Sequence, residues 1–408
     1  MSDTEPRTEE PVGATAEQTE ADAAGEETAA RETVLDVSGL TKIYPDGTLA
    51  VDDIDFSVKA GNFCVIIGPS GCGKSTTLHS LVGKVEATEG TITLDGTDIT
   101  ETETYDRDIG LVFQDFQLFP HLTVEENVRY GLKRLDLPER EADQRVSTVM
   151  ETMQLSGAAG RDPGDLSAGQ KQRVALARSL VLEPKLLLLD EPLGDMDYKL
   201  QKRMERELLE VHREFDTTFV YVTHDQTQAM RLADQVVVMN DGNVEQSDPV
   251  DAVYNAPETA FVATFVGDSN ILRGTVESTS EDGSVARVET DIDQFETRTD
   301  NLDSEPSEVV GTELAFSVRP QHLTLEDGVR NTVRCRVEDV ITRPGKGAQV
   351  VLSPLSAPAA ELQLRSWEAV SVRKGEEVTV GWTPADAVML DRTSVVEGID
   401  LETDILGE

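Results

Sequence analysis

The sequence predicts an α/β fold, a mainly parallel sheet with an antiparallel β portion, followed by a small all-β domain. Three observations predict it. From Val34 to Phe265 short β-rich runs alternate with helical segments, the pattern of βαβ units. Several of those runs are apolar throughout, as central strands covered on both faces must be. Beyond Gly267 the helical segments fade, and short strands separated by glycine, proline and acidic turns take over.

Each element follows in order. Residues 1–33 are rich in Glu, Ala and Thr with almost no large apolar side chains, so an acidic leader that cannot order is expected there. Phe63 to Ile67 reads as a buried strand and Thr76 to Val82 as a helix. Ile92 to Leu94 runs into the tight turn Asp95-Gly96. Leu111 to Phe113 is a strand end, Gln172 to Leu182 a helix, and Leu186 to Leu189 a central strand. Lys199 to Phe215 carries many charges and reads as an exposed helix. Phe219 to Thr223 and Gln235 to Met239 are further buried strands, with a helix over Gln226 to Leu232 between them. In the second domain strands are expected at Ile271–Val276, Val285–Val288, Leu314–Val318, Val333–Val337, Gln349–Leu352, Glu361–Leu364 and Glu377–Trp382, forming a small barrel or sandwich. The domains expected are therefore 1–33, 34–266 and 267–408.

Composition narrows the function. A chain of 408 residues has room for two or three domains. No run of 18 apolar residues occurs, and the polar, acidic N-terminus reads as no secretory signal. The three cysteines, Cys64, Cys72 and Cys335, form no metal-type pair and read as reduced thiols. The net charge of -42 is spread along the whole chain. Such a surface repels nucleic acid, which argues against an oligonucleotide-binding role for the β domain. It also fits a high-salt cytoplasm, where short screening lengths quiet self-repulsion.

The chemistry begins at Gly68-Pro69-Ser70-Gly71-Cys72-Gly73-Lys74-Ser75, followed by Thr76. This is G-x-x-x-x-G-K-[ST], lying between a strand and a helix, and it predicts a P-loop NTPase cassette. Glycines let backbone N–H groups wrap phosphates, Lys74 supplies a cation for the β- and γ-phosphates, and Ser75 offers a hydroxyl to Mg²⁺. Downstream, Leu186–Leu189 runs into Asp190-Glu191, a metal-side carboxylate and one able to polarise an attacking water. Gln114 follows a strand end, where its amide can reach metal and water, and His224 follows another, where it can hydrogen-bond a γ-phosphate. Leu166-Ser167-Ala168-Gly169-Gln170 opens a helix as a second anion-binding start.

In this order the motifs resemble the ATPase subunit of ATP-binding cassette (ABC) transporters. The resemblance implies ATP and Mg²⁺ as cofactors and two such subunits closing head to tail. Ser167, Ala168, Gly169 and Gln170 would then meet the ATP held by the partner's loop. It implies that Asp197 communicates across the dimer and that Tyr44 stacks on adenine. It implies Ser75, Gln114 and Asp190 around the metal, with Glu191, His224 and Gln114 serving hydrolysis. The groove near Gln114 and Phe116–Pro120 would receive a helix from one of two membrane permeases, at the cytoplasmic face of the membrane, with an extracellular binding protein beyond. Ala168 stands where the family usually has glycine, which is compatible if its φ is negative. Gly194 and Met196 replace the usual serine and leucine. Phe265-Val266-Gly267-Asp268-Ser269-Asn270-Ile271-Leu272 and Ser317-Val318-Arg319-Pro320-Gln321-His322 resemble the importer branch with a C-terminal TOBE/OB-type domain. Val380 to Val388 is most similar to its spermidine/putrescine group, beside sugar and ferric-iron importers of the same architecture. A soluble cassette ATPase of DNA repair or translation, and a P-loop kinase, are the alternatives.

Overall fold

The computed structural model describes residues 32–390 except 195, 196, 303, 327, 344, 346 and 369. The expected leader lies outside them up to residue 31, and Thr33 already belongs to the first strand. Met196 lies outside them too.

The described residues open with β1 (Thr33–Ile43), β2 (Leu49–Lys59), β3 (Phe63–Ile67) and α1 (Lys74–Leu81). There follow β4 (Glu89–Leu94), β5 (Thr97–Asp98), β6 (Ile109–Val112), α2 (Val124–Arg129), α3 (Glu139–Thr152) and α4 (Ala168–Leu180). Next come β7 (Leu186–Asp190), α5 (Tyr198–Phe215), β8 (Thr218–Val222), α6 (Gln226–Leu232), β9 (Gln235–Asn240), β10 (Asn243–Pro249), α7 (Val250–Asn255) and α8 (Ala260–Phe265). Two sheets result. The antiparallel one has the order β2-β1-β4-β5, and the other has the order β10-β9-β3-β8-β7-β6. In the second, β9, β3, β8, β7 and β6 run parallel, and only β10 is antiparallel to its neighbour.

Period-two alternation explains why the central strands are apolar on both faces. Phe63, Val65 and Ile67 join the core beneath the helices, with Val174, Leu187 and Leu189. Cys64 and Ile66 face the other way, into a core shared with Leu35, Ile54, Leu186 and Leu188. The phosphate loop leaves the end of β3, between β8 and β9, where the ends of parallel strands converge.

Several boundaries move from the sequence expectation. The helix after the loop begins at Lys74, and α4 begins at Ala168 rather than Gln172. A reciprocal capping box explains the latter, since Ser167 accepts from the Gln170 N–H and Gln170 accepts from the Ser167 N–H. Ala168 thus stands at the first helical position, and among the described residues it is not one with positive φ, so alanine fits there. Phe113 falls outside β6.

The second part holds β11 (Asn270–Thr279), β12 (Val285–Thr290), β13 (Gln294–Arg298), β14 (Glu313–Val318), β15 (Asn331–Arg343), β16 (Gly347–Pro354), β17 (Leu362–Ser366), β18 (Glu377–Trp382) and β19 (Ala387–Leu390). A closed barrel runs β11-β12-β13-β19-β14, and a four-stranded sheet runs β17-β16-β15-β18. Both β13 and β19 went unassigned from sequence. They are short, and the one Cα pair joining them, Arg298 with Val388, comes from segments ninety residues apart. Phe295, Phe316, Val337, Leu364 and Trp382 share one core.

Candidate active site

The phosphate loop is shaped by close approaches. A Cβ on Gly68 would collide with the Met239 carbonyl oxygen, and one on Gly73 would lie 2.5 Å from that of Ala50. Gly73 also has φ of 101° and caps α1, a helix start with no side-chain cap and no acidic residue in its first turn. The Lys74 ammonium donates to the Gly68 carbonyl at 2.8 Å and to that of Pro69 at 2.6 Å, so the cation lies within the loop's curve. Burial pushes the Cys72 thiol upward, opposed by Lys74.

Around this loop lies a cavity of about 350 Å³, lined by Ala50, Ser70, Gly71, Gly73, Lys74, Ser75, Thr76, Glu191 and His224. A larger one, about 660 Å³, lies between α3, α4 and α5. Chemistry outweighs size here, since the smaller cavity joins a helix N-terminus, a lysine and a carboxylate. Ala50 escaped the sequence reading, having no reactive group to mark it.

Asp190 ends β7 with His79 Nε2 of α1 at 3.9 Å. Burial pushes its carboxyl above the usual range, His79 and Lys84 oppose that, and Glu191 adds to it. Glu191 has a left-handed backbone, φ 42°, which costs a non-glycine residue about 1–3 kcal/mol. Two bonds hold it there, its N–H to the Val222 carbonyl and its carbonyl from the Gly194 N–H, both at 3.1 Å. The carboxylate lies 3.1 Å from His224 Nδ1. Gln114 approaches the same place. A Cβ on Gly194 would sit 3.6 Å from its Nε2 and 3.7 Å from Glu191 Oε2, ordinary contacts that leave room for the family's serine.

The remaining predicted residues divide into two groups. Tyr44 reaches the cavity's wall, its hydroxyl 3.3 Å from Thr76 Oγ1. Ser167, Ala168, Gly169 and Gln170 line no part of the cavity, and Ser167 and Ala168 are exposed. Gly169 has a packing reason as well, since a Cβ there would meet Met204 Sδ of α5 at 3.1 Å. Asp197 caps α5, accepting from the Lys199 and Leu200 N–H groups at 3.1 Å. Ion pairs tie these helices together. Arg173 of α4 and Arg203 both meet Glu207 of α5, at 2.8 and 2.9 Å. Buried Glu205 meets Lys202 at 2.8 Å and Arg231 of α6 at 3.5 Å.

A parallel core whose phosphate loop closes a cavity against a carboxylate and a histidine from neighbouring strand ends defines a P-loop ATPase. Residues 51–194 match the ABC transporter family, and residues 316–390 match the TOBE domain. The chain belongs to the ABC transporter ATP-binding proteins. It is similar to the spermidine/putrescine import ATP-binding protein PotA of Rubrobacter xylanophilus, 39% identical over 88% of this chain and 94% of that one. The PotA of Thermobifida fusca is 38% identical over 87% of this chain and 93% of its own. Among solved structures it resembles cbiO1 of Clostridium perfringens, part of the ABC transporter complex cbiONQ. That likeness has a TM-score of 0.51 and 33% identity, over 54% of this chain and 90% of the other.

Proposed function

We propose that this chain is the ATP-hydrolysing subunit of a polyamine importer, taking up spermidine or putrescine through two membrane permease subunits at the cytoplasmic face. The observation that carries the ATPase part is the cavity in which Lys74, Ser75 and the start of α1 face Glu191 and His224. The substrate class rests on the relatives, which align with nearly the whole chain.

The residues present fit a magnesium ion. Asp190 is a part-buried carboxylate beside a second carboxylate, a charge that a hard cation would relieve, and the Ser75 hydroxyl and Gln114 amide are further oxygen donors. Bound there by Asp190, Ser75 and Gln114, Mg²⁺ would neutralise charge on the β- and γ-phosphate oxygens. Lys74 and the N–H groups of Gly71 to Thr76 hold the phosphates, and Tyr44 stacks on the base. Glu191 accepts a hydrogen bond from the attacking water and orients it or takes its proton. With His224 Nδ1–H given to Glu191, Nε2 is left for the γ-phosphate and donates there when the ring is protonated. Gln114 and Glu191 flank Gly194, and from there the Gln114 amide would meet both water and metal.

Because Ser167 to Gln170 line no part of their own chain's cavity, their reading needs a second copy, head to tail. Closure with ATP and reopening after hydrolysis would alternate the access of the permeases, fed by an extracellular binding protein. The test is purification of tagged Glu191→Gln protein from gently solubilised native membranes at high salt with MgATP. Recovery of a permease pair that, reconstituted with the wild-type chain, hydrolyses ATP in response to spermidine or putrescine is the expected result. A permease pair responding only to sugar or ferric iron overturns the substrate, and recovery of ribosomal or repair proteins alone overturns the importer.

A further inference from the structure

Phe116 and Gln117 adopt left-handed backbone conformations in succession, with φ of 60° and 41°. Non-glycine residues avoid that region because Cβ crowds the backbone, and two in a row persist only where the surroundings hold them. What holds them reaches over from α4. Arg178 donates to the Gln117 carbonyl at 2.6 Å and to the Phe116 carbonyl at 3.0 Å. Its guanidinium lies 5.4 Å from the centre of the Phe119 ring. From the other side Asn127 of α2, wholly buried, accepts from the Phe119 N–H at 2.8 Å and donates to the Phe119 carbonyl at 3.1 Å.

Arg178 makes these contacts at a cost. Burial pulls its pKa down, and among the described residues no carboxylate acts against that. A guanidinium that spends its donors on peptide carbonyls, with no ion-pair partner among the described residues, fixes backbone rather than neutralising charge. The loop it fixes begins two residues after Gln114, whose Nε2, like Glu191 Oε2, lies within 4 Å of where a Cβ on Gly194 would sit. The helix it comes from begins at Ser167–Ala168, about 15 Å away along a rigid rod.

We propose that Arg178 is a positioning residue for ATP hydrolysis, making the Gln114 loop travel with α4, so that engagement at the start of α4 sets where Gln114 stands against Glu191. The inference rests on the roles assigned above to Gln114 and Glu191. It turns the doubly left-handed loop into a mechanical link between a surface that a second copy would touch and the hydrolytic residues. It also ties in the groove of Phe116 to Pro120, which the permease helix would enter.

The test combines exchange and a double-mutant cycle on the full-length protein at saturating MgATP and high salt. Arg178→Gln should speed amide exchange over residues 115–119 about tenfold or more, with ATP affinity altered less than about twofold. It should lower kcat about tenfold, and Arg178→Lys, a point donor in place of a fork, should fall between it and wild type and keep the fold if Gln does not. In a Gln114→Ala background the same Arg178→Gln change should lower kcat by less than about twofold, the non-additivity of two residues acting as one. Unchanged exchange, or a full tenfold loss on top of an impaired Gln114→Ala, overturns the inference. Wild-type turnover by Gln114→Ala overturns instead the reading of Gln114.

Discussion

Replacing Arg319 with alanine should uncouple the β domain from the ATPase domain. Arg319 is 4% exposed, and its guanidinium makes five hydrogen bonds to four carbonyls, two at the end of the ATPase domain and two in the junction that follows it. Two reach Tyr254 in the last turn of α7, at 2.7 and 3.2 Å, and the rest go to Ala263 of α8, Gly267 and Asp268. The same group lies 4.4 Å from the centre of the Tyr254 ring. Carbonyls near helix C-termini favour a cation, so dipole, hydrogen bonds and stacking act together. Each charge-assisted bond is worth about 1.5–3 kcal/mol, but one guanidinium cannot deliver five independent terms. Removing a buried charged partner and leaving carbonyls unsatisfied puts the loss at about 3–5 kcal/mol.

The chain carries its own reporter for this loss. Both tryptophans, Trp367 and Trp382, belong to the β domain, and Trp382 is 1% exposed in its core. Tryptophan fluorescence therefore follows that domain, while far-ultraviolet dichroism follows the helices of the other. Wild-type protein at high salt should lose both signals together in urea. In Arg319→Ala the fluorescence midpoint should fall by about 2 M (about 1–5 M over the usual range of slopes, about 1–3 kcal/mol per molar) and part from the helical one. Arg319→Lys keeps the charge without the fork and should recover about half. Coincident transitions within about 0.5 kcal/mol of wild type would refute both the clamp and the division of the chain near residue 267.

Four further outcomes are expected. Glu191→Gln should lower kcat at least about a hundredfold with ATP affinity preserved, and near-wild-type turnover removes Glu191 from its role. Lys74→Ala should weaken nucleotide binding itself by at least about tenfold in equilibrium titration, having lost a cation held by two loop carbonyls. The raised pKa of Asp190 means that its protonated form suits the fold, so its contribution is present below the ordinary aspartate range and lost as pH rises through the folded value. Asp190→Asn should therefore melt higher than wild type at neutral pH without Mg²⁺, the gap closing as the medium is acidified, while Mg²⁺-dependent turnover is lost; equal melting at every pH contradicts the burial argument. Finally, a net charge of -42 should make melting temperature climb steeply with KCl, and a flat profile from dilute buffer to 2 M KCl (a concentration chosen to sit at about 2 Å of screening length) counts against high-salt adaptation.

What the sequence revealed and what it hid follow one physical line. The phosphate loop, the apolar strand ending in Asp190 and Glu191, and the Gln226–Leu232 helix were legible because their signals are local: sterics, alternation and capping act within a few residues. The barrel's closing strands were not, since β19 is four residues long and pairs with β14 and, at one position, with β13 across long chain separations, while β13 is short and polar and takes its strand character from β12. Motif residues show the same divide. Gly169 reads as an anion-binding glycine, yet its lack of a Cβ also admits Met204 of α5, a requirement that belongs to the other helix. Arg319 is visible in sequence only as part of a recurring segment, and its reason is four carbonyls contributed by residues 254–268. Arg178 left no signal at all, because an arginine in a helix is ordinary and the left-handed turn it holds is made of Phe116 and Gln117, residue types that predict no such turn. Local chemistry thus names the residues that meet ATP, while the residues that hold them in place can be identified only once the chain has folded back on itself.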